Sequence, residues 1–267
     1  MQKKKSTPKK KSPPKLFKVI ASTQITANMQ RITLQGKAVA HFPDKCAGQY
    51  VKLLFTTDGG TDIDFTAMND GQRPVMRTFT IRDISHQEQT IDIDFVRHFT
   101  NDLQCGFAGR WAMNTKVGDT IYIAGPGATP DIKTDVDWFF MAADMTALPA
   151  LSAQILSLPE EAKGYAVIKV IAESDIQPIK APNNLQVIWL TEQESLAEKV
   201  RGLTWLEGEV SVWVACEFDY MRSLRTYFRN DKAVERDNIY ISSYWKQGIS
   251  EDGHKTIKQK DARESEL

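Results

Sequence analysis

Near residue 130 the hydrophobic rhythm of this 267-residue chain changes, and that change limits the folds open to it. Upstream, apolar and polar residues alternate in short runs. Val51, Leu53 and Phe55 stand against Tyr50 and Lys52, Ile91, Ile93 and Phe95 against Asp92 and Asp94, and Ile121 shares a face with Ile123. A period of two marks strands with one wet face, the habit of antiparallel sheets and barrels. Asp58-Gly59-Gly60 and Asp70-Gly71 are turn signals between such runs. Downstream, 138–142, 165–172, 187–190, 210–215 and 238–242 are short, mostly apolar runs, as strands covered on both faces are. Helically spaced segments at 146–158, 192–200 and 219–229 separate them, with Pro149 tolerable only in a first turn. This alternation predicts a parallel sheet with right-handed crossovers. The expected fold class is therefore two-domain: an antiparallel β-barrel over 16–130, then an α/β parallel-sheet domain over 135–267, joined through Gly125-Pro126-Gly127. The last twenty or so residues are polar and read as a frayed helical tail.

Composition excludes several classes of function. Hydrophobic residues make up 42% and charged residues 25%, which suits a packed globular chain and not a fibrous one. No apolar run approaches the ~18 residues a membrane helix needs, so no span is expected. The net charge of zero conceals an asymmetry: seven of the 34 basic side chains stand in residues 1–15, with no acid among them. That Lys/Pro/Ser segment reads as a disordered tail. It leaves a net-acidic body, which argues against a nucleic-acid face. The three cysteines, Cys46, Cys105 and Cys216, form no CxxC and are odd in number, so a reducing cytoplasm is expected and a disulfide framework is not. His41, His86, His98 and His254 have no metal-ligand spacing, so no protein-held metal is expected.

Two local features carry chemistry. Arg77-Thr78-Phe79-Thr80, followed by Arg82, puts a phosphate-binding fork and a stacking ring on one strand face. Gly106-Phe107-Ala108-Gly109-Arg110-Trp111-Ala112 can open a helix whose free N–H groups hold phosphate. Either feature alone is commonplace. In order, however, Arg-x-Phe-Thr, then Asp94-Phe95-Val96-Arg97-His98, then Gly-x-Ala-x-Arg-Trp-Ala, then the Ala124-Gly125-Pro126-Gly127 strand resemble the FAD domain of the siderophore-interacting protein family. These are flavin-dependent ferric-siderophore reductases of the ferredoxin–NADP reductase-like superfamily. The resemblance continues through 143–150, Val214-Ala215-Cys216-Glu217 and Tyr244-Trp245-Lys246-Gln247-Gly248.

The resemblance implies a barrel that binds FAD and an α/β domain that binds NADH or NADPH. It assigns the FAD diphosphate to Arg77. The flavin ring falls to Phe79, Thr80 and Val96, with His98 near the ribityl or phosphate region. Gly106, Ala108, Arg110 and Trp111 make the phosphate turn. Asp144, Thr146 and Ala147 lie near the adenosine end or the nicotinamide entry, and Tyr244 and Trp245 cover the flavin face. Lys52 and Lys246 match family positions tied to a basic substrate pocket, with Lys133 and Arg82 as further candidates. The chain departs from the family pattern at three places: Phe79 replaces a Tyr, and Cys216 and Ser243 replace Gly. The two lost glycines put side chains where a nucleotide backbone approaches closely. GxGxxG is missing after the first strand of the α/β half.

The expected activity is transfer of electrons from NAD(P)H through FAD to a chelated ferric iron, in a cytoplasmic monomer. The alternatives are a related flavin-dependent reductase with another acceptor, ferredoxin as the electron donor, and a non-catalytic siderophore-binding protein.

Overall fold

The structure is a computed structural model that describes residues 12–68, 72–97 and 106–264. Its amino-terminal half contains β1 (Lys15–Thr26), β2 (Met29–Gln35), β3 (Tyr50–Phe55), β4 (Val75–Thr80), β5 (Asp83–Ser85), β6 (Thr90–Val96) and β7 (Thr120–Gly127). They form one antiparallel sheet in the order β4-β3-β7-β1-β2-β6-β5. β4 and β5 stand at opposite edges although only Ile81 and Arg82 separate them. The Ile81 N–H donates to Gln49 O on the β3 side at 2.8 Å, and the Arg82 N–H donates to Asp92 O on the β6 side at 2.8 Å. This two-residue change of partner closes the sheet into a barrel. The alternating positions read from the sequence fill its interior: Val51, Leu53, Phe55, Ile91, Ile93 and Phe95 are fully buried, with Phe17, Val19, Ile32 and Leu34. A short helix, α1 (Phe107–Asn114), packs Ala108 and Ala112 on this core.

The carboxyl-terminal half contains β8 (Trp138–Asp144), β9 (Lys163–Lys169), β10 (Asn184–Leu190), β11 (Val210–Glu217) and β12 (Ile239–Trp245). All pair in parallel, in the order β10-β9-β8-β11-β12. Every residue of β8 and β11 is buried, which explains their mostly apolar sequences. α2 (Leu148–Leu156) covers one face of the sheet, while α3 (Leu196–Gly202) and α4 (Phe218–Thr226) cover the other. The chain steps outward in opposite directions from β8 and β11, so the crevice at their carboxyl ends is the topological switch point where ligands of such sheets bind.

Helix starts differ from the periodicity for local reasons. α2 begins at Leu148 because the Asp144 side chain takes the Thr146 N–H. α3 begins at Leu196 because the Ser195 hydroxyl caps the Glu198 N–H. α4 is capped by Glu217, whose carboxylate accepts from the Asp219 N–H at 2.5 Å. The polar tail folds as a fourteen-residue helix, α5 (Glu251–Glu264).

The two halves are clamped by a residue that no motif singled out. Asp175, fully buried in the turn after β9, accepts four hydrogen bonds: from Thr26 Oγ1 (2.7 Å), the Asn28 N–H (2.8 Å), Asn28 Nδ2 (2.8 Å) and the Ala172 N–H (3.1 Å). Met29 follows, buried in the α/β core with Ile25 and Val96 packed beside it. Barrel and sheet thus share one continuous packed boundary.

Candidate functional site

A cleft of about 1740 Å³ runs between the barrel and the carboxyl ends of the parallel strands. On the barrel wall, strand alternation puts Arg77 and Phe79 on one face of β4 and Thr78 and Thr80 on the other. The Phe79 ring lies 4.4 Å from that of Phe95, and the Arg77 guanidinium lies 5.6 Å from the Phe107 ring centroid. Gly106 immediately precedes α1 with a φ of 74°, a conformation that favours glycine, and no side chain caps the helix. The first-turn N–H groups therefore open toward the cleft that Gly106, Phe107, Ala108 and Gly109 line. An arginine fork and the positive end of a helix share one wall, a donor set suited to a diphosphate.

The opposite wall is organised by Asp144, the last residue of β8. Its buried carboxylate accepts from the Thr146 N–H (2.9 Å), Thr146 Oγ1 (2.5 Å), the Glu217 N–H (2.7 Å) and Trp245 Nε1 (2.8 Å). Burial pushes its carboxyl above the usual range, against the pull of those four donors. The ends of β8, β11 and β12 are thereby drawn onto one side chain. Trp245 remains 39% exposed at the cleft. Beside it, burial and the neighbouring Tyr240 push the Tyr244 phenol far upward, so it stays protonated.

α5 supplies the third side of the cleft. Glu251 accepts from the Thr78 N–H (2.9 Å) and Thr78 Oγ1 (2.8 Å), and Asp252 lies 3.3 Å from Arg77. His254, nearly buried, meets Ser243 Oγ at 2.8 Å through Nε2. Burial, then Lys258, pull the His254 imidazole below its ordinary value. Lys258 donates to Ser242 Oγ (2.7 Å) and Ser243 O (3.1 Å), and burial lowers its ammonium. Sequence reasoning missed this wall. The signal was present as i, i+3, i+4, i+7 spacing of Glu251, His254, Lys255 and Lys258, but the stripe is polar and a hydrophobic period does not register it.

The cleft brings together Arg77, Phe79, Thr80, Val96, Gly106, Ala108, Asp144, Thr146, Tyr244, Trp245 and Lys246. Lys246 pairs with Asp219 at 2.9 Å and lies 4.8 Å from the Phe218 ring centroid. Other candidates fall elsewhere. Trp111 packs edge-on to Phe55 and Phe95 at the barrel core, and Arg110 sits over the Phe107 ring at 5.3 Å. Ala147 is fully buried and lies outside the cleft lining, its N–H donating to Asp144 O at 3.1 Å. Lys52 stands on β3 directly opposite Thr78, the residue that Glu251 grips. Arg82 lies 3.7 Å from Asp94, which Arg31 already holds at 2.6 Å.

Lys133 is a correction. It binds Glu209 (2.7 Å) and Asn238 (2.8 Å), which precede β11 and β12, so it sits at the amino end of the sheet, away from the ligand-binding end. His98 lies outside the described residues. Of the two lost glycines, Cys216 turns into the core under α4 and leaves the cleft clear, whereas Ser243 lines the cleft and is held by His254. The residues present fit an FAD: a donor set for a diphosphate beside a ring-lined wall.

The comparisons with known proteins agree with this geometry. Residues 18–130 match the siderophore-interacting FAD-binding domain, and residues 136–248 match the siderophore-interacting protein model. The chain is 29% identical over 254 residues to ferric vibriobactin reductase ViuB of Vibrio cholerae, covering 90% of this chain and 92% of that one. It is 23% identical to the NADPH-dependent ferric-chelate reductase of Escherichia coli, over 85% of this chain and 91% of that protein. The crystal structure of the siderophore-interacting protein SipS from Aeromonas hydrophila superposes with a TM-score of 0.80 at 27% identity, covering 94% of this chain and 98% of that one. With both halves matched in this order, the chain belongs to the siderophore-interacting protein family.

Proposed function

We propose that this chain is an FAD-dependent ferric-siderophore reductase that draws electrons from NAD(P)H. The observation that carries this reading is the single cleft, with diphosphate donors on one wall and the switch point of a parallel sheet on the other. Bound FAD supplies the exchange between a two-electron donor and a one-electron acceptor. Arg77 and the α1 N-terminus would hold its diphosphate. Phe79, Val96 and Thr80 on the barrel wall, and Tyr244 and Trp245 on the opposite wall, would hold the flavin ring, with Trp245 kept in place by Asp144. Thr146 would border the nucleotide entry, with Ala147 buried behind it.

No side chain need act as acid or base. One reduced nicotinamide would yield two electrons and a proton: two ferric chelates would each take one electron, and the proton would pass to solvent. Ferrous iron binds hard oxygen donors less tightly, so the metal then leaves its chelator. Lys246 in the cleft would provide positive charge for an anionic chelate, and Lys52, opposite Thr78 on β3 and outside the cleft lining, would add to it at longer range. The reading places the protein in the cytoplasm, where NAD(P)H is available. No helix among the described residues is long and apolar enough to cross a membrane.

The test is spectroscopic. The purified protein should show, or take up, flavin absorption; NADPH or NADH should bleach it without oxygen, and ferric hydroxamate or catecholate chelates should restore it. A preparation that binds no FAD ends the proposal.

A further inference from the structure

Among the described residues, six lysine and arginine side chains line the cleft, and they divide by counter-ion. Arg77 faces Asp252, Lys246 faces Asp219, and Lys255 faces Glu251 and Asp252. Among the described residues, Lys169, Arg201 and Lys258 have no carboxylate within ion-pair distance. Lys258 is consumed internally by Ser242 and Ser243. Lys169 and Arg201 stand together at the far arm of the cleft.

Lys169 is the last residue of β9. Its Nζ donates to Glu194 O (2.7 Å) and Tyr220 Oη (3.3 Å) and lies 5.1 Å from the Tyr220 ring centroid. Arg201, in the last turn of α3, donates through Nη2 to Ser223 Oγ (2.8 Å) and Ser223 O (3.3 Å). Tyr220 and Ser223 are i, i+3 neighbours on α4, so the two cations hold side chains on the same edge of one helix, about one turn apart in sequence. Hydroxyl and carbonyl partners orient these cations without neutralising them. Of the acids nearby, Glu194 is turned onto the Thr191 N–H and hydroxyl, while Glu192 and Glu198 line the cleft, exposed, without an ion pair to either cation.

In a doubly wound sheet the adenosine ribose of a dinucleotide meets the residues that end the strands beyond the switch point. An acid there accepts from the 2′-hydroxyl, and a cation there takes a 2′-phosphate. We propose that Lys169 and Arg201 form the subsite for the 2′-phosphate of NADPH, making the chain selective for NADPH over NADH. This rests on the reading of the cleft as a reduced-nicotinamide site, and it adds the residues that choose between the two coenzymes. A planar guanidinium and a point-charge ammonium on adjacent sides suit a dianion, and Tyr220 offers the adenine a flat, cation-flanked ring.

The test uses the FAD-loaded protein and two readouts. In calorimetric titration, 2′,5′-ADP should bind at least about ten-fold more tightly than 5′-AMP. Lys169→Met, Arg201→Gln and their combination should erase that margin while leaving 5′-AMP unchanged. In anaerobic rapid mixing, the same variants should weaken flavin reduction by NADPH and not by NADH. Lys169→Arg should retain the margin, which separates lost charge from lost fold. Equal binding of the two adenosine phosphates, or a margin that survives the double variant, overturns the subsite. If neither coenzyme reduces the bound flavin, the reductase reading falls, and the titration still decides the subsite.

Discussion

The indole Nε1–H of Trp245 donates to Asp144 Oδ2 at 2.8 Å, joining the last residue of β12 to the last residue of β8 across the switch point of the sheet. Through that bond the most exposed aromatic of the cleft is fixed by its most heavily bonded carboxylate. Asp144→Ala leaves four donors without their acceptor. We expect a loss of about 3 kcal/mol in urea unfolding, together with a changed Trp fluorescence maximum. An unchanged midpoint and emission would show that the anchor is dispensable.

The clamp between the two halves carries a pH signature. Burial pushes the Asp175 carboxyl up, but the donors from Asn28, Thr26 and Ala172 outweigh it and hold the group below its ordinary value. A carboxyl with a depressed folded value contributes stability fully above the ordinary carboxylate range, near 4, and loses it as pH falls through the folded value. Asp175→Asn should cost about 2 kcal/mol at pH 7, and its deficit relative to the parent should shrink below pH 4. Chemical denaturation at pH 7 and pH 3.5 checks this; an equal deficit at both would refute the assignment.

Flavin affinity should depend on Arg77. Arg77→Ala removes the fork and leaves only the α1 N-terminus for the diphosphate, so FAD should bind about ten- to a hundred-fold more weakly, equivalent to ~1.5–3 kcal/mol. Fluorescence titration of the apoprotein measures it. Undiminished affinity would move the diphosphate elsewhere.

The proposed role of Lys246 and Lys52 can be tested by charge alone. Lys52→Gln and Lys246→Gln together should raise KM for anionic ferric chelates several-fold and flatten its dependence on ionic strength, while a neutral acceptor is reduced as before. Equal losses for charged and neutral acceptors would argue that these lysines only maintain structure.

One glycine tests the fold itself. Gly164 has a φ of 131° and lies opposite Phe139 in the β8–β9 ladder, where an added Cβ would run into the Phe139 backbone. Gly164→Ala should therefore cost upward of 3 kcal/mol through backbone strain and a forced strand separation. A thermal midpoint within a degree or two of the parent would contradict the register.

Much of the architecture was legible because it is written in hydrophobic periods. Val51, Leu53 and Phe55 alternate inward along β3, and β8 and β11 are mostly apolar runs because helices cover both faces. Closure of the barrel was not legible in detail, since it turns on which neighbour receives the Ile81 and Arg82 amides. The cleft candidates of β4, α1, β8 and β12 do meet, whereas Lys133 bonds at the opposite end of the sheet; a lone lysine in a linker carries no mark of which strand end it will face. The fate of Cys216 and Ser243 also depended on their faces: one side chain enters the α4 core and the other enters the cleft.

The chain's own order of residues determined the change from antiparallel to parallel sheet and the succession of Arg77, Gly106, Asp144 and Tyr244 motifs, because burial and backbone conformation act over a few neighbouring positions. Only the tertiary structure decided that Asp175 would lock the halves together, that α5 would wall the cleft, and that Lys169 and Arg201 would lack a counter-ion among the described residues. Those outcomes depend on polar partners far apart in the chain, and the strength of a charge or a hydrogen bond is set by what folding places beside it and by how much water it excludes.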